Sequence, residues 1–301
     1  MESLKEKKLN LNDPHITRLI DLAIEEDIGK GDITSNAIIR SNETKEAVFI
    51  VKQDGIIAGL DVAKVVLMKF DERIEYIKLK KDGDQCIKGE KVASVKGNYK
   101  ALLNAERTAL NFLQRMSGIA TKTNMFVKQL EGLSRKDVQR TPFGGSPKTK
   151  ILDTRKTVPG HRVLDKYAVK MGGGVNHRMG LYDMVMIKDN HIILSGGIKN
   201  AVSEIRKKMT EQIKIEVETS SLKEVEEALA ANVDIIMLDN MNIEEMKKAV
   251  ELCKGKVLTE ASGNISIKNL RDVAGTGVDY ISVGELTHSV EALDISMKII
   301  D

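Results

Sequence analysis

Between Ile151 and His191 the chain gathers basic and imidazole side chains at places where strands should stop. Arg155 and Lys156 follow the run ILDT, His177 and Arg178 follow a triple glycine, and Lys188 and His191 follow a second apolar run. In parallel α/β proteins the loops after strands build the site. These residues therefore read as donors around a small anionic ligand rather than as solvated surface charge. Arginine forks pair carboxylates at two points and lysine adds point charge. Arg155, Lys156, His177, Arg178 and Lys188 in one pocket call for several negative charges on the ligand. Glu218 and Asp239 end later apolar runs. Carboxylates in a cationic pocket suit sugar hydroxyls, a divalent cation or a reaction centre that becomes positive. Ser262-Gly263 and Gly284 supply small residues where backbone N–H groups can approach phosphate. The inventory fits a dianionic small molecule, a phosphorylated sugar and Mg²⁺. Two other readings use the same residues: a Schiff-base aldolase with Lys156 or Lys188 as nucleophile, and a metabolite-binding protein without turnover. His191 reads as a base or as a structural residue.

These residues need strands that end together. From Ile151 short apolar runs end at Lys156, Lys188, Glu218, Asp239, Ser262 and Gly284, separated by helical periodicity at Ile198–Met209, Leu222–Ala231, Ile243–Leu252 and Ile267–Ala274. Strands alternating with helices imply a parallel sheet with right-handed crossovers, and closure of six strands would make a barrel with one common mouth. An open doubly wound sheet is the alternative, although no strand is followed by GxGxxG. Upstream, Asp13-Pro14 opens a helix, and Ala47–Lys52, Gly55–Gly59, Ile74–Leu79 and Lys91–Lys96 read as strands of a small antiparallel sheet around a helix at Leu60–Phe70. Tyr99–Gly118 reads as a strongly amphipathic helix and Ile119–Leu130 as a second one. Leu133–Lys150, with its prolines, paired glycines and basic residues, reads as a mobile loop without function. Ser289–Ile300 reads as a closing helix.

Composition narrows the class. The 301 residues, 42% hydrophobic and 30% charged, suit a globular enzyme of two domains. A net charge of only +3 argues against nucleic acid as the main partner. Cys86 and Cys253 show no metal-ligand spacing, no apolar run approaches a membrane span, and no leader pattern is visible, so a soluble cytoplasmic protein is expected.

The stretches ERTALNFLQRMSGIAT (106–121), LDTRKTVPGHRVLDKYAVKMGGGVNHR (152–178), MIKDNHI (186–192), EVET (216–219), MLDNM (237–241), EASGN (260–264) and SVGELTHS (282–289) together resemble the quinolinate phosphoribosyltransferases. The resemblance implies an N-terminal α/β sandwich domain over 1–117, an irregular parallel α/β barrel of about six to seven strands over 118–287, and a C-terminal helix over 288–301 packed back on the N-terminal domain. It implies transfer of a phosphoribosyl group from 5-phosphoribosyl-1-pyrophosphate (PRPP) to quinolinate, with loss of CO₂, giving nicotinate mononucleotide for NAD synthesis. The implied cofactor is Mg²⁺ with no organic cofactor, and the implied assembly is a homodimer or larger with the site shared between chains. A same-fold transferase acting on another pyridine acid, such as nicotinate, is the neighbouring alternative. By resemblance, Arg107, Arg155, His177, Arg178 and Lys188 hold the quinolinate carboxylates. Lys156 faces the pyrophosphate, Glu218 and Asp239 face the ribose and, directly or indirectly, the metal, and Ser262, Gly263 and Gly284 line the phosphate side. The long Leu133–Lys150 stretch and Glu285, beside the phosphate loop, depart from the pattern expected of the family.

Overall fold

The structure, a computed structural model, describes residues 9–39, 43–131, 149–209 and 213–300. The chain begins with α1 (Pro14–Ile28), α2 (Ile33–Ile38), β1 (Thr44–Val51), β2 (Gly55–Ile56), α3 (Leu60–Phe70), β3 (Glu75–Lys78), β4 (Gln85–Cys86), β5 (Lys91–Asn98) and α4 (Tyr99–Leu130). It continues through β6 (Lys150–Leu152), α5 (Arg162–Met171), β7 (Val185–Ile187), α6 (Asp189–Ser195), α7 (Ile198–Lys208) and β8 (Ile215–Thr219). The last elements are α8 (Leu222–Ala230), β9 (Ile235–Asp239), α9 (Ile243–Cys253), β10 (Leu258–Ser262), α10 (Leu270–Gly275), β11 (Tyr280–Ser282), α11 (Glu285–His288) and β12 (Ile295–Ile300). The loop expected over Leu133–Lys150 lies, up to residue 148, outside the described residues.

Two compact units form. The first takes the chain through Asn124, then Thr157–Gly173 and the segment from Val290. Its main sheet has the antiparallel order β12-β1-β5-β3. Asp13 accepts the His15 N–H at 2.8 Å and caps α1 with Pro14 at its start. Asp82 accepts from Gly59 N–H and Leu60 N–H at 2.9 and 3.1 Å and so caps α3. Phe49, Leu60, Leu67, Leu102 and Leu113 are fully buried in this unit's core.

Two expectations are corrected here. First, Gly118 does not divide two helices, because α4 runs unbroken for 32 residues. A Cβ at Gly118 would stand 2.1 Å from the Glu291 carbonyl oxygen, so glycine is needed for close backbone approach and not as a breaker. Second, the closing segment is no helix. Ile295–Ile300 is the strand β12, paired with β1 from Glu46↔Ile300 to Val51↔Ile295. Ile295 and Met297 are buried while the intervening Ser296 is half-buried and Lys298 is exposed, a period of two that a helical reading overlooks. Residues 157–173 cluster by contact with the first unit. Arg115 on α4 forks onto Asp165 of α5 at 3.0 and 2.7 Å, the Tyr167 hydroxyl donates to Asp82 at 2.9 Å, and His161 stacks on Phe112.

The second unit comprises Met125–Lys156 and Gly174–Ser289. Its sheet is wholly parallel in the order β6-β11-β10-β9-β8-β7. On the free side of β6, Val175 makes an isolated parallel bridge to Leu152, the remnant of a seventh strand. Two residues later, His177 reaches Glu216 on β8 and Glu260 on β10, so the sheet curls around a filled interior as a barrel does.

Candidate active site

Parallel register places one set of side chains on the inner face. Met186 pairs with Glu216, Glu216 with Ile235, Glu218 with Met237, Glu260 with Met237, and Ser262 with Asp239. Paired residues share a face and alternate residues return to it. Asp239 and Ser262 end β9 and β10 side by side on the inner face, Glu218 lies beside Met237 one residue before the end of β8, and Lys188, the residue after β7, reaches Glu218. These four residues thus gather at one mouth.

The side chains there are already engaged. Lys188 Nζ lies 2.5 Å from Glu218 Oε2. Asp239 Oδ2 accepts from Asn240 Nδ2 at 2.7 Å. Arg178 donates to the Met184 carbonyl at 3.2 Å and touches Met186 Sδ at 3.5 Å, which holds its guanidinium across the seam beside β7. Burial and the neighbouring Arg155 guanidinium both push the Arg178 pKa down. The turn after Arg178 is fixed by Asp183, which accepts from Met179 N–H and Gly180 N–H at 2.7 and 2.9 Å.

The Lys156 carbonyl accepts from Thr287 Oγ1 at 2.9 Å. A Cβ at Gly284 would stand 3.1 Å from the His288 ring and 3.3 Å from Lys156 Cδ. Lys156, Gly284 and His288 are thus neighbours, and His288 joins the candidates although sequence reasoning passed over it. Its position one helical turn after Gly284 was the available signal.

His177 departs from expectation. Its ring turns away from the mouth and into the barrel. Its backbone N–H donates to the buried Asp153 at 2.8 Å, and Nε2 lies 3.0 Å from Glu216 and 3.4 Å from Glu260, both fully buried. Ser282 Oγ donates to Glu260 in turn. Burial pushes Glu216 up to about 7. Burial opposes a charge on His177, while the carboxylates beside it push its pKa up. Nδ1 accepts from the Arg178 N–H at 2.7 Å, so the ring proton sits on Nε2, facing the carboxylates. These three residues offer ligand atoms within 4.8 Å of one another. A metal on Nε2 would require that proton gone and Nδ1 acting as a donor. The cluster reads as a buried polar core that anchors the backbone of Arg178.

His191 is structural: Nδ1 accepts from the Lys188 N–H at 3.0 Å and caps α6. Arg107 is exposed on α4 in the first unit, beside Glu106, whose carboxyl is raised by burial and lowered by that arginine.

For a magnesium ion, Glu218 and Asp239 offer hard oxygen ligands at the ends of adjacent strands. Mg²⁺ commonly takes one or two carboxylates and completes its shell with water and substrate phosphates. The donor set fits such an ion.

The chain is similar to known proteins of one family. Residues 32–117 match the family described as quinolinate phosphoribosyl transferase, N-terminal domain, and residues 119–298 match its C-terminal domain. A probable nicotinate-nucleotide pyrophosphorylase [carboxylating] of Bacillus subtilis is 43% identical over 289 residues, covering 96% of this chain and 95% of the relative. A chloroplastic nicotinate-nucleotide pyrophosphorylase [carboxylating] of Arabidopsis thaliana is 44% identical over 300 residues, covering 93% and 82%. The solved nicotinate-nucleotide pyrophosphorylase of Francisella tularensis superposes with a TM-score of 0.85 at 40% identity, covering 95% of this chain and 96% of that one.

Proposed function

The chain belongs to the quinolinate phosphoribosyltransferase family, and from that premise we infer that it transfers the phosphoribosyl group of PRPP to quinolinate with decarboxylation. The products are nicotinate mononucleotide, pyrophosphate and CO₂, a step of de novo NAD synthesis. The observation that carries this reading is the convergence of Lys188, Glu218, Asp239 and Ser262 at one mouth of the parallel sheet.

Arg155, Arg178 and Lys188 hold the two carboxylates of quinolinate, and His177 fixes Arg178 from below. Lys156 meets the pyrophosphate, and Ser262, Gly263, Gly284 and His288 meet the 5-phosphate. The pyridine nitrogen, flanked by a carboxylate, is a weak nucleophile, so the C–O bond to pyrophosphate loosens before the C–N bond forms. Glu218 and Asp239 stabilise the positive charge on the ribose, and Lys156 stabilises the departing pyrophosphate. Glu218 and Asp239 would hold Mg²⁺ together with the substrate, where the ion would supply positive charge for the diphosphate. Once the ring nitrogen is quaternary, the C2 carboxylate leaves as CO₂. Its electron pair stays on the ring carbon beside the cationic nitrogen and then takes a proton. A Schiff-base mechanism is not favoured, because the matched family is that of a phosphoribosyl transferase.

The test is release of CO₂ and pyrophosphate from quinolinate and PRPP in the presence of Mg²⁺. Turnover with nicotinate but not quinolinate would move the assignment to another pyridine acid, and a borohydride-trapped imine would support the aldolase reading.

The exposed Arg107 completes the site of a partner chain in a homodimer. Mixed refolding of Arg107→Ala with Lys188→Ala should restore about a quarter of wild-type activity, since half of randomly paired dimers carry one intact site. A mixture as inactive as its parents would show that Arg107 does not act across a dimer. The enzyme works in the cytoplasm, where its two free, buried cysteines stay reduced. No helix among the described residues is long and apolar enough to cross a membrane.

A further inference from the structure

Asn240 follows the carboxylate Asp239 and has no part in the reaction as described, yet its side chain is fixed at both ends. Nδ2 donates to Asp239 Oδ2 at 2.7 Å, and Oδ1 accepts from Asn264 Nδ2 at 3.1 Å. A carboxylate only accepts, so the amide has a single sensible orientation. Its backbone N–H donates to the Ser262 carbonyl at 2.9 Å. Asn240 sits at φ +53°, in the left-handed region that asparagine tolerates better than most residues. The amide lies directly over Gly263, where a Cβ would come within 2.3 Å of Asn240 Oδ1 and 2.5 Å of its Cγ. Gly263 is therefore the residue that makes room for Asn240. Asn264, also left-handed at φ +51°, is held in turn, because its carbonyl accepts from Asn269 Nδ2 at 3.0 Å. Asn269 Oδ1 accepts from the Ser266 N–H at 2.8 Å. One amide thus links the end of β9 to the turn after β10.

We propose that Asn240 is a positioning residue that couples Asp239 to the Ser262-Gly263-Asn264 turn, holding the ribose- and metal-facing carboxylate and the phosphate-facing backbone as one piece. The proposal rests on the assignment of both to the phosphoribosyl donor. Asn240 then governs the fit of PRPP, while quinolinate, gripped from the loops after β6 and β7, is indifferent to it.

The experiment is steady-state kinetics of the full chain with both substrates and Mg²⁺. Asn240→Gly keeps the left-handed backbone without strain and deletes the amide. Asn240→Asp keeps the shape but turns a donor into an acceptor beside Asp239. Loss of a hydrogen bond to a carboxylate should raise KM for PRPP by about tenfold or more in both variants. The aspartate should be the worse and should need more Mg²⁺. KM for quinolinate, and binding of quinolinate alone, should stay within about twofold of wild type. Asn264→Gly should shift KM for PRPP in the same direction by less. An unchanged KM for PRPP in both Asn240 variants, or a parallel rise for both substrates, would overturn the proposal. Failure of the wild type to turn over quinolinate would instead overturn the functional reading beneath it.

Discussion

Single side chains in this protein matter most where they satisfy a neighbour that has no other recourse. His177 stands between two fully buried carboxylates. Replacing it by phenylalanine leaves both without their shared N–H and should destabilise the fold by about 3–5 kcal/mol, read from the urea midpoint. Activity should fall as well, because the Arg178 N–H loses its acceptor. His161 makes a different demand. Burial is the main cause that lowers its pKa. A histidine depressed in the folded state contributes full stability above its unfolded pKa, about 6.5, and loses it as pH falls toward the folded value. The stability of wild type relative to His161→Phe should therefore decline from about pH 7.5 to about pH 5.5. A difference that stays flat across that range would show that the ring titrates alike folded and unfolded.

Among the elements, what the sequence announced and what it hid divide along physical lines. The parallel strands were legible because each apolar run gives way to a polar residue, and Asp239 and Ser262 do end β9 and β10, while Glu218 and Lys188 fall within one residue of the ends of β8 and β7. α3 was legible to the residue, since Gly59 and Asp71 flank a clean apolar stripe. Less legible was anything decided by distant backbone. Gly118 looks like a helix end until the Glu291 carbonyl is seen against it. Gly118→Ala should gain about 1 kcal/mol of helix propensity. It should lose about 1–3 kcal/mol to overpacking, so the melting temperature is expected to fall. A rise would mean that the neighbouring backbone yields freely. The direction of His177 was hidden for a related reason. Val175 contributes one bridge and no strand, so no period of two told inside from outside. Asn240 was hidden because an asparagine after a strand reads as an ordinary turn residue.

At the scale of the whole molecule, the order of synthesis and the order of assembly disagree. β1 lies between β5 and β12, and β12 is made only after every strand of the second unit. While the chain is still emerging from the ribosome, one side of β1 carries unpaired N–H and C=O groups beside the apolar Ala47, Phe49 and Val51. Such an edge is a template for pairing with the wrong chain. Nascent chains stalled before Val290 should therefore be cleaved readily within β1 and recruit chaperones, and chains carried past Ile300 should be protected. Equal protection at both lengths would mean that β1 and β5 suffice alone. A protein lacking Ile295–Ile300 should accumulate in inclusion bodies although every residue of the second unit's sheet is present. The reading frame from start to finish is thus a timetable in which the first sheet begun is among the last completed.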